Sequence, residues 1–182
     1  MKNMYKKKMM LLSLMFIAVM AAQAQITPKF IGRYSTGIYD KAAAEITAYD
    51  AVSKRMFVLN GPDTSIKVVD ISKPANPVQI STISIKSYGK DQTSIACMNG
   101  VLAVTVINTL GKTENGFVVF FNASTLAYIN KVEVGANPDM ITFSPNGKMV
   151  LVANEGEPND DYTIDREGSI SIIDISKGIS TL

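Results

Sequence analysis

Apolar positions in this chain recur in short alternating runs rather than at helical spacing. "SIKVVDIS" at Ser65 to Ser72 returns as "SISIIDIS" at Ser169 to Ser176, identical at five of eight positions, with two further exchanges between branched aliphatics. "GFVVFFNA" at Gly116 to Ala123 stands between them in the same role. Taking Ile66, Phe117 and Ile170 as equivalent gives spacings of 51 and 53 residues. Ahead of these runs come "RMFVLNG" at Arg55, "VLAVTVIN" at Val101 and "KMVLVANEG" at Lys148, and ahead of those "EITAYD", "TSIACMNG" and "DMITFSPNG". Two-residue alternation bounded by turn residues predicts β-strands. Asn-Gly in "MNGV" and "SPNGK" predicts tight antiparallel connections, because that pair tolerates positive φ.

Each unit therefore reads as strand, turn, strand, loop, strand, with a fourth strand at "VQISTISI" and "LAYINKVEV". Four antiparallel strands every 45 to 50 residues or so describe a β-propeller blade. Strand spacing alone also fits a β-sandwich. The expected fold class is all-β, a propeller with about two and a half four-stranded blades: residues 45–85, 93–134 and 139–182, the last incomplete. "KFIGRYSTG" over 29–37 reads as an orphan outer strand, since it precedes the first blade as "INKVEVG" precedes the third. Propellers need about four to eight blades, so the expectation is the N-terminal part of a longer protein.

The first residues change the picture of charge. Lys2, Lys6, Lys7 and Lys8 precede a 14-residue apolar run, and "AQA" at Ala22 to Ala24 follows. That three-part pattern predicts a signal peptide over 1–24, leaving 25–182 as the partial propeller and a secreted or cell-surface location. The run falls short of the roughly 20 residues that span a bilayer, so no transmembrane segment is expected after cleavage. Without the signal, 14 basic residues face 16 acidic ones, and no basic stripe for nucleic acid remains. With no His in 182 residues, Ser-His-Asp and Cys-His catalysis are excluded within this chain. Cys97, flanked by Ile95, Ala96 and Met98, reads as a buried small hydrophobe.

Three segments together resemble the choice-of-anchor I family: "FIGRYSTGIYDKAAAEITAYDAVSKRMFVLNG", "GFVVFFN" and "VGANPDMITFSPNGKMVLVANEGEPNDDYTIDREGSISIIDIS". The resemblance implies a secreted bacterial protein with a lactonase-like propeller, of the seven-bladed type in the full-length relative. Some relatives carry alkaline phosphatase labels, which implies a phosphoesterase as one activity.

The loop "NEGEPNDDYTIDREG" breaks the repeat, because blades one and two have only "GPDTS" and "TLGKTEN" there. It holds Glu155, Glu157, Asp160, Asp161, Asp165 and Glu167 against Arg166. Clustered carboxylates suit Ca²⁺, so Glu155, Glu157, Asp160, Asp161 and Asp165 are the candidate metal ligands. The spacing does not match the D-x-[DN]-x-[DN]-G calcium loop, and a solvated acidic connection fits the same residues. Asp70 and Asp174 recur with the repeat and read as turn-forming. Two function classes follow. One is a binding or scaffold module for an extracellular protein, glycan or surface component. The other is an extracellular metal-dependent hydrolase whose carboxylates hold ions that activate water.

Overall fold

The computed structural model describes residues 3–9 and 26–182. Residues 3–9 are helical, and the apolar stretch and cleavage site expected upstream of Gln25 lie outside the described residues. Among the described residues no helix is long and apolar enough to cross a membrane. The chain divides into residues 1–31 and a larger unit, Gly32–Leu182, which carries every strand among the described residues.

That unit holds three antiparallel sheets in chain order. The first is β1 (Thr47–Asp50), β2 (Arg55–Asn60), β3 (Ser65–Asp70) and β4 (Val78–Ser84); the second is β5 (Gln92–Met98), β6 (Val101–Val106), β7 (Asn115–Asn122) and β8 (Tyr128–Ala136). The third has three strands, β9 (Pro138–Phe143), β10 (Met149–Asn154) and β11 (Ser169–Asp174). Each strand pairs with its sequence neighbour, and the first strands of successive sheets lie against each other, β1 on β5 and β5 on β9. This is an all-β propeller arc of three blades. Of the two predicted Asn-Gly turns, Asn99 and Gly100 have φ of 51° and 77°, the two positive values a two-residue hairpin requires, whereas at Asn146–Gly147 only the glycine is positive, at 67°.

The ladders correct the alignment of the repeat by one residue. Leu59 faces Ile66, Thr105 faces Val118 and Ala153 faces Ile170. Val118, not Phe117, is the counterpart of Ile66, and the three positions fall 52 residues apart each time. The strand β7 starts early, at Asn115 and Gly116, and a Cβ at Gly116 would lie 2.5 Å from the Pro138 ring. Glycine there lets the third blade enter close to the second.

Residues 29–37 were expected as a strand, and the structure shows none there. A strand needs a ladder, and this segment is held by other contacts. The Tyr34 hydroxyl donates to Gln79 Oε1 at 2.5 Å. Gly32 lies so close to the chain at Pro74 that a Cβ would fall 1.9 Å from its carbonyl oxygen.

Burial follows from two sheet faces meeting twice. Phe57, Leu59, Ile66 and Val68 of the first blade pack on Ile95, Leu102, Val104 and Val106 of the second. Ala103, Val118 and Phe120 of the second pack on Ile141, Phe143, Val150 and Val152 of the third. The third blade's corresponding face carries Ile170 and Ile172, which are 65% and 67% exposed where Ile66 and Val68 are fully buried. Alternation sets which residues share a face, and the neighbouring sheet determines whether that face is dry.

Asp63 ties down the first blade's short loop. It accepts from the Asn60 amide, the Ser65 hydroxyl and the Lys67 ammonium. Partial burial alone would raise its pKa; the bonds from Lys67, Ser65 and Asn60 outweigh that and hold it at about 2. A depressed carboxylate stabilises the fold above its unfolded pKa, and the contribution is lost as pH falls from about 4 through about 2. Asp63→Asn is therefore expected to cost about 1 kcal/mol at neutral pH, allowing for solvent screening of a half-exposed side chain. Urea unfolding at pH 7 and pH 2.5 should show that difference shrinking in acid; an equal difference at both would disprove it.

Candidate functional site

The connections β2–β3, β6–β7 and β10–β11 emerge on the same edge of the arc, and the third, residues 155–168, is the longest. Its base is built by Asn154 and Gly156. Buried Asn154 uses its amide to reach the Ser169 hydroxyl at 3.1 Å and the Ser171 hydroxyl at 2.9 Å, which fastens β10 to the start of β11. Gly156 has φ of 66°, and a Cβ there would lie 2.3 Å from the Glu167 carbonyl oxygen. The two ends of the loop thus pass in backbone contact.

The tip is a turn closed by its own polar groups. Asn159 exchanges backbone and side-chain bonds with Ile164, both at 2.9 Å, and its amide donates to Thr163 at 3.0 Å. Asp161 accepts from the Thr163 hydroxyl at 2.7 Å and its amide at 3.3 Å, and those bonds lower its pKa. This leaves Tyr162 at φ 57° with its ring 80% exposed. Left-handed backbone is unusual for a bulky residue, and here the turn imposes it.

The loop leans on its neighbour in the second blade. Lys112 Nζ meets Glu157 at 2.8 Å, Arg166 Nε donates to the Thr113 carbonyl at 2.8 Å, and Arg166 reaches Glu114 at 3.7 Å. Between the two loops and the β4–β5 connection lies an open cleft of about 520 Å³, lined by Lys90, Asp91, Leu110, Lys112, Asn159 and Asp160 among others. A second hollow of about 310 Å³ continues from it past Glu157 to Tyr162, sharing Lys112, Asn159 and Asp160.

The five expected metal ligands go to different places. Glu155 accepts from the Asn137 amide at 2.9 Å; burial first, then the charges of Asp139 and Glu157, raise its pKa. Glu157 is paired with Lys112 and Asp161 with Thr163. Asp160 lines the cleft, and Asp165 is exposed. Among the described residues no three His, Cys, Asp or Glu side chains group as a metal site. Asp70 and Asp174 accept from the amides of Ser72 and Ser176 at 2.7 and 2.9 Å, closing turns. Sequence reading did not single out Lys90, Asp91, Leu110 or Lys112 for this site. They lie 48 to 70 residues before Asp160 at the loop's tip, and no local pattern marks their convergence.

The sequence matches the choice-of-anchor I domain over residues 45–182. The chain belongs to the choice-of-anchor I domain family. No curated protein matches it. Among solved structures, this choice-of-anchor I chain is similar to the luciferin-regenerating enzyme (TM-score 0.60, 14% identity, 74% of this chain and 45% of that one). It is also similar to hydrazine synthase of Kuenenia stuttgartiensis (TM-score 0.57, 21% identity, 74% and 35%). A third is a putative 6-phosphogluconolactonase from Bacteroides uniformis (TM-score 0.51, 14% identity, 70% and 42%). At such identities the likeness is one of fold. The chain spans between about a third and just under half of these structures' lengths.

Chemically, this choice-of-anchor I domain offers hydrogen-bonding groups in the cleft. Its sole thiol, Cys97, is pushed up to about 12 by burial and then by the charge of Asp50, so it carries no thiolate at neutral pH.

Proposed function

We propose that this chain belongs to an exported propeller that binds an extracellular protein, glycan or surface component, using the edge that carries the 155–168 loop. One observation carries the reading: the connection that departs from the repeat is docked on its neighbour by Lys112–Glu157 and Arg166–Thr113, and this docking forms the cleft. Loops held on a rigid scaffold are where binding residues concentrate. The lysine-rich start and apolar run support export. A metal-dependent phosphoester hydrolase would need carboxylates converging on a cation; Glu157 and Asp161 are instead committed to Lys112 and Thr163.

Exchanging residues 155–168 for the first blade's "GPDT" connection is the direct test. The blades should still fold, and binding to a panel of immobilised extracellular proteins, glycans and cell-envelope preparations should be lost. Equal binding by both forms would place the ligand elsewhere.

A further inference from the structure

The cleft, with Lys90 and Asp91 at one side, and the hollow, with Glu157 and Tyr162, meet at Lys112, Asn159 and Asp160, which line both and make the pair a two-part groove. It holds two amines, Lys90 and Lys112, against three carboxylates, Asp91, Glu157 and Asp160. With Lys112 already matched by Glu157, the groove has no net positive charge to select an anion. It is open to water, and polar groups share its lining with Ile107 and Leu110, so it does not suit an apolar ligand, which calls for an enclosed and largely apolar pocket. Loops line it, whereas peptide capture by strand addition needs a free sheet edge.

Among the described residues, the Lys90 ammonium and the Asp160 carboxylate make no hydrogen bond within the chain. One offers donors only and the other acceptors only. In the hollow that Asp160 also lines, Tyr162 presents an exposed ring from a turn whose backbone is closed, Tyr162 N–H donating to the Asn159 carbonyl at 3.1 Å. Leu110, 84% exposed, stands on the other loop. Separate donors and acceptors beside an exposed aromatic face match a ligand whose hydroxyls both donate and accept and whose C–H face is apolar.

We propose that the groove takes a neutral oligosaccharide, with one sugar ring on Tyr162 and its hydroxyls on Asp160, and a following ring in the cleft beside Lys90. This rests on the reading of the chain as a binding module. A rigid ring costs little conformational entropy to immobilise, and the closed 159–164 turn has met that cost on folding.

Screening the full chain on a neutral-glycan array, then titrating the strongest oligosaccharide calorimetrically, tests the assignment. Saturable binding is expected, weakened about tenfold or more by Tyr162→Ala and by Asp160→Asn, and unchanged by Tyr39→Ala. Thermal melts should coincide for all three variants, because each side chain is exposed. An array with no neutral glycan bound, or binding that survives both groove variants, overturns the proposal. A displayed peptide library run in parallel separates the two readings. Peptides lost with Tyr162→Ala beside a blank array would overturn the saccharide and keep the binding module; two blank screens would overturn both.

Discussion

Phe57→Ala should lower the stability of the blades by about 3–5 kcal/mol, while Ile172→Ala should cost less than about 1 kcal/mol. Both side chains belong to the same blade face in the repeat. Phe57 is opposite Val68, and Leu151, its counterpart in the third blade, is opposite Ile172. Phe57 is fully buried against the second blade, and its truncation leaves a cavity that Leu102 and Val104 cannot fill without moving. Ile172 is 67% exposed, so removing its methylene groups returns little surface to water. Urea unfolding of the two variants would measure the contrast. Equal losses would mean that the face of the third blade is covered in solution.

Gly156→Ala is the second large effect, about 2–5 kcal/mol from two sources. A left-handed residue with a Cβ costs about 1–2 kcal/mol, and the added carbon meets the Glu167 backbone, which must shift at about 1–3 kcal/mol. Because Gly156 has φ of 66° and faces Glu167 at 2.3 Å from an added Cβ, the variant should spread the base of the 155–168 loop. Amide hydrogen exchange should then speed up at Ser169 and Ser171 while the first blade keeps its protection. Gly37→Ala, also at positive φ but with open space around it, isolates the backbone contribution. If the two variants unfold at the same urea concentration, the close approach at Glu167 is not what matters.

How much was legible in the sequence depended on whether the signal was local. The alternation of "SIKVVDIS" and "SISIIDIS" predicted strands at Ser65–Asp70 and Ser169–Asp174, and Asn99–Gly100 predicted the hairpin between β5 and β6. Each of these needs only neighbours along the chain. The register slip at Phe117 and Val118 was invisible, because both are apolar and only pairing with Thr105 and Val106 distinguishes them. Residues 29–37 precede the first blade as "INKVEVG" precedes the third, yet strand formation requires a ladder partner, which position in the repeat cannot reveal. The loop 155–168 stood out as a break in the repeat, but composition pointed to its carboxylates. Their pairing with Lys112, Asn137 and Thr163 emerged only when distant segments were brought together.

By itself, the sequence determined the all-β repeat, the tight turns, the placement of the one long insertion and membership of the choice-of-anchor I family. The first three follow from side-chain alternation and turn chemistry, which act over a few residues; membership rests on the match over residues 45–182. Tertiary structure decided which apolar faces are dry and which carboxylates face each other or a cation. It also decided that Lys112 and Asp160 line both the cleft that holds Lys90 and the hollow that holds Tyr162. Burial and electrostatics depend on separation in space, and the packing of one blade on the next sets that separation across tens of residues of chain.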